Sequence, residues 1–505
     1  MRDAAMQASA ARAPTMTVAS LLTLGRSTFD VEFGATRASA ARRVLDEIGV
    51  ATIGDDAVLT DVADIAQAVE RTLTRKAEVV VVIQATFADA STVISISEAS
   101  DIPIVVWSFP EARRGARLRL NSLCSANLAA YSLRRRQHRC AFVHTDPTAN
   151  DAGDRVRRAI DDACRAAPNV PPGEIATPVI DPHLARIADR IDERLHRNLI
   201  GVIGEPPNGF EPCVGDDQQI ESAFGVQVVR LELDDLFTEA HTAGRTRVDD
   251  VLDRVSTTLS VDPALSRDDL EPSARLYCGM RRFVEDAGLA AVATRCWPEC
   301  MDEFGGAACT PHAMLTEDQV PGVCEADVLG AVTALVLQRV AGTDPFIADL
   351  VDVDDSDDTS VMWHCGVASS RLAAPNDIAV GTVHPNRHVP VMNQFALRPG
   401  RVTVARISQC SGGLHLVLAG GEMLDRPRPY DGTCGTIRWD RPVRDVADTI
   451  FGLGVEHHLG VIYGDHRDVL VELARRWDIP VVRLGVDGLG EERRRVAYSS
   501  SIQSG

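Results

Sequence analysis

The residues best equipped for chemistry lie in GVCEADVLGAV, Gly322 to Val332, where two carboxylates, Glu325 and Asp327, head an almost wholly apolar run. From Leu329 to Val340 only Thr333, Gln338 and Arg339 are suited to water, so the helix expected over roughly 326–341 is a buried one. An ionised carboxylate at its first turn is expensive unless it is paired or bound to a cation. Downstream, FIADLVDVD carries Asp349, Asp352 and Asp354, VMWHCG carries His364, and GVEHHLGVIYGD carries His457 and His458. Carboxylates with an imidazole are donors for a hard or borderline divalent cation. Thiols offer less. Cys296 and Cys300 of CWPEC, with Cys309, lack the second pair that a thiolate site needs, and Cys324 and Cys365 read as packing.

These side chains need elements to bring them together. A helix of that length spans about 24 Å, GTDP turns the chain, and FIADLVD runs back as a strand at about 3.3 Å per residue. That returns Asp349 to Asp354 toward the level of Glu325, at the carboxyl edge of a parallel sheet, where open α/β proteins bind ligands. Asp327, Asp352 and Asp354 compete as ligands, with Asp352 the main rival to Asp349. Of the two carboxylates at the helix, Glu325 is expected to matter far more than Asp327.

The rest of the chain supplies the frame. VASLLTL, EVVVVIQ, IPIVVWS and CAFVHT are continuous apolar strands separated by amphipathic helical segments. That alternation means a parallel sheet covered on both faces. The proline-rich 167–178 stretch reads as a boundary, and a second such cycle opens at NLIGVIGEPPNGF. After Asp358 short strands with turn residues take over. The expected organisation is a tail over 1–15, α/β domains over 16–172 and 173–350, and a β-rich domain over 351–505. Both α/β domains are expected to be Rossmann-like, doubly wound folds.

Composition excludes several functions. A net charge of −20 argues against nucleic-acid or anionic-membrane surfaces. Lys76 is the single lysine and sits in no phosphate or Schiff-base motif, which sets aside pyridoxal phosphate and P-loop chemistry. No window is apolar enough for a membrane span. The start of the chain does not read as a secretory signal. A cytoplasmic protein with reduced thiols is expected.

CEADVLGA, ADLVDVD followed by WHCG, EHHLGVIYG with LARRWDIPV, and LNSLCSANLAAYSL after VVWSFPE together resemble the L-fucose isomerase family and, more distantly, L-arabinose isomerase. The resemblance covers most of the chain. It implies a metal-dependent aldose–ketose isomerase, usually with Mn2+, built from two Rossmann-like domains and a barrel-like C-terminal domain. It puts the metal ligands on Glu325, Asp349 and His458, with Glu325 and Asp349 also transferring the proton. His364 lies near the position of a further ligand in arabinose isomerases. The resemblance also implies a homo-oligomer, trimer or hexamer, acting on a small sugar at sites near subunit contacts, where Glu111 and Asn127 are candidates for a neighbour's share. The alternatives are a non-catalytic sugar-binding or regulatory protein, and a metal-dependent lyase acting on a sugar acid. His384 and His388 of VHPNRH read as members of a surface loop.

Overall fold

The computed structural model describes residues 17–54, 57–165 and 181–486; the tail over 1–15 and the 167–178 stretch lie outside the described residues. Strands β1 (Thr17–Leu24), β2 (Val50–Ile53), β3 (Val79–Gln84), β4 (Ile104–Ser108) and β5 (Cys140–His144) form a parallel sheet in the order β2-β1-β3-β4-β5. Every residue of β3 and β4 is buried. Helices on both faces make this possible: Val31–Glu47 and Ala152–Cys164 cover one, and Val62–Thr74, Ser91–Ala99 and Ser122–Arg135 the other. The long apolar runs of the sequence therefore became strands as expected.

A second parallel sheet follows. Of β6 (Leu199–Ile203), β7 (Gln227–Leu231), β8 (Ser260–Val261), β9 (Leu289–Thr294) and β10 (Gly322–Cys324), four pair in the order β10-β9-β6-β7. Strand β8 leaves that sheet for the C-terminal one.

The remaining strands are β11 (Phe346–Asp354), β12 (Thr359–His364), β13 (Val380–Val383), β14 (Pro390–Ala396), β15 (Gly400–Ser408), β16 (His415–Met423), β17 (Thr433–Trp439), β18 (His458–Tyr463) and β19 (Val481–Arg483). Six of them, β16-β15-β18-β11-β12-β17, pair antiparallel, and β17 returns to β16. The ring is a closed barrel, and closure removes the exposed edges that six strands would otherwise present. Strand β11 is the main correction to the sequence reading. It does not return to the carboxyl edge of the second parallel sheet but opens the barrel, between β12 and β18.

The apolar helix, Val328–Ala341, packs against β9 on one side and β15 and β18 on the other. It is wedged between sheet and barrel, which is why it has almost no polar face. Even Thr333 and Gln338, which seemed fit for water, are buried.

Candidate functional site

Strand β10 ends at Cys324, and the next two residues, Glu325 and Ala326, adopt left-handed backbone (φ 66° and 52°). This conformation is costly for residues with a Cβ and is found where the surroundings enforce it. It re-aims the chain so that Glu325 precedes the helix rather than sitting in its first turn. The helix start belongs to Asp327, whose Oδ1 accepts from the Gly330 amide at 2.8 Å.

Asp327 also meets a partner from the barrel. Arg406 of β15 donates to both its oxygens, at 2.6 and 2.8 Å, and both side chains are fully buried. The same carboxylate receives His458 Nδ1 at 2.8 Å. With Nδ1 carrying the proton, His458 Nε2 is left with a free lone pair, 3.5 Å from Glu325 Oε2 and 3.7 Å from Asp349 Oδ1. A carboxylate that fixes the far nitrogen of an imidazole is the usual outer support of a metal-binding histidine. Asp327 therefore holds both the His458 ring and Arg406, more than the small part expected of it from the sequence.

Glu325 is held at both oxygens. The Trp297 indole N–H donates to Oε1 at 3.0 Å, and His457 Nε2 lies 2.9 Å from Oε2. Burial opposes its ionisation, but the hydrogen bond from His457 and the nearby His458 and His364 rings bring its pKa down to about 2. Asp349 is pushed the other way. Burial raises its pKa, against the pull of His364, His458 and His457. It sits at the register where β11 faces both Trp363 of β12 and His458 of β18, and the helix Ser122–Arg135 brings the Cys124 thiol against it.

Whether these residues suit the divalent cation implied by the resemblance can be judged from two atoms. Asp349 Oδ1 and His458 Nε2 are shut off from solvent and have no hydrogen-bond partner, although they face each other. Buried polar atoms without partners are rare because each costs its full desolvation. Ligands at right angles on one small divalent ion stand about 3 Å apart, so small shifts from 3.5 and 3.7 Å would serve. Two carboxylates and one imidazole match Mn2+ or Mg2+. The donor set fits. Cys213 and His457 also have donor atoms within 4.8 Å of those of Glu325 and His458. Burial raises the Cys213 thiol well above its usual range, and His457 is already engaged with Glu325.

The other candidates go elsewhere. Asp352 lies beyond an irregularity in the β11 register and pairs with Arg113 at 2.7 Å. Asp354 caps the turn at Ser356 and Asp357. His364 stands with its ring centroid 5.4 Å from that of His458, but its Nδ1 accepts from the Cys365 amide. Glu111 is engaged within its own chain, by the amides of Arg119, Leu120 and Asn121, and burial raises it to about 7. Asn127 is buried on the Ser122–Arg135 helix. His388 is exposed as expected of a loop, whereas His384 is buried.

Trp297, Arg406, Arg26 and Arg387 were not singled out from the sequence, whereas His457 was named there beside His458. Arg406 had a readable signal, a charge inside the apolar strand VTVARIS. Arg26 and Arg387 each hold a guanidinium 4.8 Å from the Trp297 ring centre.

The N-terminal domain of fucose/sulfoquinovose isomerases matches residues 20–170. Sulfoquinovose isomerase of Alkalicoccus urumqiensis is 31% identical over 402 residues, covering 79% of this chain and 84% of its own. The chain belongs to the fucose/sulfoquinovose isomerase family. The sulfoquinovose isomerase of Priestia megaterium is 28% identical over 455 residues, 90% of this chain and 96% of its own. Among the described residues no helix is long and apolar enough to cross a membrane.

Proposed function

We propose that this family member interconverts an aldose and a ketose at the site formed by Glu325, Asp349 and His458, and that its sugar is anionic. The observation that carries the reading is the facing pair of unpartnered buried atoms, His458 Nε2 and Asp349 Oδ1, beside the Glu325 carboxylate. Glu325, Asp349 and His458 would hold a divalent cation, which would supply Lewis-acid polarisation of the sugar carbonyl. The chain's own groups move the protons. One leaves C2 and one returns to C1 through an enediol, while the O2 hydroxyl proton passes to O1. Glu325 and Asp349 are the carboxylates available as general bases. Trp297 and His457 fix Glu325, and Asp327 with Arg406 fixes His458.

The anionic substrate rests on two arginines and on the relatives' name. Arg26 is paired with Asp89 at 3.0 Å, whereas Arg387 has no carboxylate partner among the described residues. Both flank the indole that touches Glu325, so an acidic group on the sugar would meet two guanidiniums while C1 and C2 reach the carboxylates. Arginine suits such planar recognition of oxyanions. The curated relatives are named for sulfoquinovose, and a sulfonate would fit there.

The test is turnover of a panel of neutral, carboxylated and sulfonated aldoses. Chelation should abolish ketose formation and Mn2+ should restore it. Glu325→Gln should lower activity at least about a hundredfold in a folded protein. Arg387→Met should raise KM for the sulfonated aldose and leave neutral aldoses unchanged. Full turnover by Glu325→Gln would overturn the site, and equal use of neutral sugars the anionic assignment.

A further inference from the structure

One residue before Glu325, the chain contributes to a second cluster of a different chemical kind. Cys324 ends β10, Cys309 opens the helix Cys309–Glu317, and Cys365 follows β12. Cys309 and Cys365 place their sulfurs 3.5 Å apart. The donor atoms of Cys324, His364 and Cys365 all lie within 4.8 Å of one another; His364 Nδ1 is 3.1 Å from Cys365 Sγ, and to ligate it would exchange its bond from the Cys365 amide for the ion. Cys309 and Cys324 are almost fully buried, and so is His364.

Ordinary packing leaves this arrangement unexplained. Thiols are weak donors and weak acceptors, and the Cys309 sulfur finds no better partner than another sulfur. Behind them a fully buried histidine, His312, turns Nδ1 to the Cys324 sulfur at 3.5 Å and has nothing on Nε2. Thiolates at about 2.3 Å from a tetrahedral ion stand about 3.8 Å apart. The Cys309–Cys365 separation is already near that spacing. Cys324, Cys365 and His364 need only close in around a common centre, and Cys309, which touches Cys365 but stands outside that group, has to move in with them.

We propose that Cys309, Cys324, Cys365 and His364 form a binding site for a borderline-soft divalent cation of the Zn2+ class, separate from the carboxylate–imidazole site. Three thiolates and one imidazole make a closed tetrahedral set, the composition of structural rather than catalytic zinc sites. Its ligands come from both sides of one seam. Cys309 and Cys324 belong to the second α/β unit, whereas His364 and Cys365 belong to the end of a barrel strand. Glu325 approaches across that same seam from the α/β side, and Asp349 and His458 from the barrel. An ion among the thiols would brace the two halves of the neighbouring site.

Co2+ is the probe, because thiolate ligation gives an intense near-ultraviolet charge-transfer band that oxygen and imidazole ligands do not. Reduced, metal-free full-length protein saturated with Co2+ should show this band and the visible absorption of a tetrahedral ion. C309S and C365S should each lose the charge-transfer intensity. E325Q should keep it, which separates this site from the proposed isomerase centre. H364Q should retain the charge transfer but shift the visible bands. Absence of a charge-transfer band in the wild-type protein, which needs no variant to fold, would overturn the proposal. So would a band that survives unchanged in both C309S and C365S.

Discussion

Two imidazoles, His144 at the end of β5 and His458 at the start of β18, each place one ring nitrogen in a hydrogen bond and leave the other shut off from solvent without a partner. At His144 the bonded nitrogen meets the Ser108 hydroxyl at 2.9 Å, and the nearest charges, Arg155 and Asp355, are paired with each other at 3.2 Å. At His458 the bonded nitrogen meets a carboxylate locked by Arg406, and the open nitrogen meets Glu325 and Asp349. An unpartnered nitrogen is thus not by itself a site. What distinguishes His458 is that other unsatisfied or anionic oxygens converge on the same point, and that its far side is closed by a rigid, neutralised pair.

The sharpest way to break this contrast is to open the closed side. Arg406→Met leaves Asp327 ionised in the interior with a single imidazole for company. Loss of one member of a buried ion pair costs about 3–5 kcal/mol. We expect urea unfolding to show a loss of that order, with divalent-cation affinity falling as His458 loses its fixed tautomer. An unchanged unfolding midpoint would mean that the pair is solvated in the native protein.

Asp327→Asn is gentler. It keeps one oxygen, which can accept from His458 Nδ1–H or from the Gly330 amide but not from both, and it removes the charge that holds both Arg406 and the imidazole. Loss of such outer support lowers metal affinity by roughly 10–100-fold. Mn2+ titration of the variant should show a drop in that range, and excess Mn2+ should recover much of the turnover. Recovery would not be expected for Glu325→Gln, which alters the carboxylate proposed to act on the substrate. A variant that binds Mn2+ as the parent does would return Asp327 to the minor role read from the sequence.

That minor role illustrates what a sequence discloses. Glu325, Asp349 and His458, which the fold brings together, were singled out through the order of short motifs around them, and the apolar strands of the first sheet were legible through their uninterrupted runs of Val and Ile. The contacts of Asp327 were not readable, because its partner Arg406 lies 79 positions away and nothing local links them. The helix start was misjudged for a related reason. Left-handed backbone at Glu325 and Ala326, neither of them glycine, is imposed by the fold and leaves no compositional trace. Strand β11 was recognised as a strand but assigned to the wrong sheet. A run of alternating apolar residues reveals its own conformation, whereas its neighbours β12 and β18 are a matter of barrel closure. Arg387 went unnoticed because a loop such as VHPNRH carries no periodicity to say which residue turns inward.

The smallest effect belongs to the histidine without converging carboxylates, and it tests whether burial alone governs an isolated imidazole. Burial lowers the His144 pKa from 6.5 to about 4. Between these values the unfolded chain binds a proton that the native state refuses, so stability falls as pH drops through that window and is fully present above 6.5. From pH 7 to pH 5 this one group should cost about 2 kcal/mol. His144→Asn keeps a polar partner for Ser108 and cannot titrate there. Its unfolding free energy should therefore decline less than the parent's over the same interval, by about that amount. Parallel declines would show that His144 takes up its proton in the folded state. Burial would then not be enough to keep an imidazole neutral in this fold, and the free lone pair of His458 would rest on Asp327 and Arg406 alone.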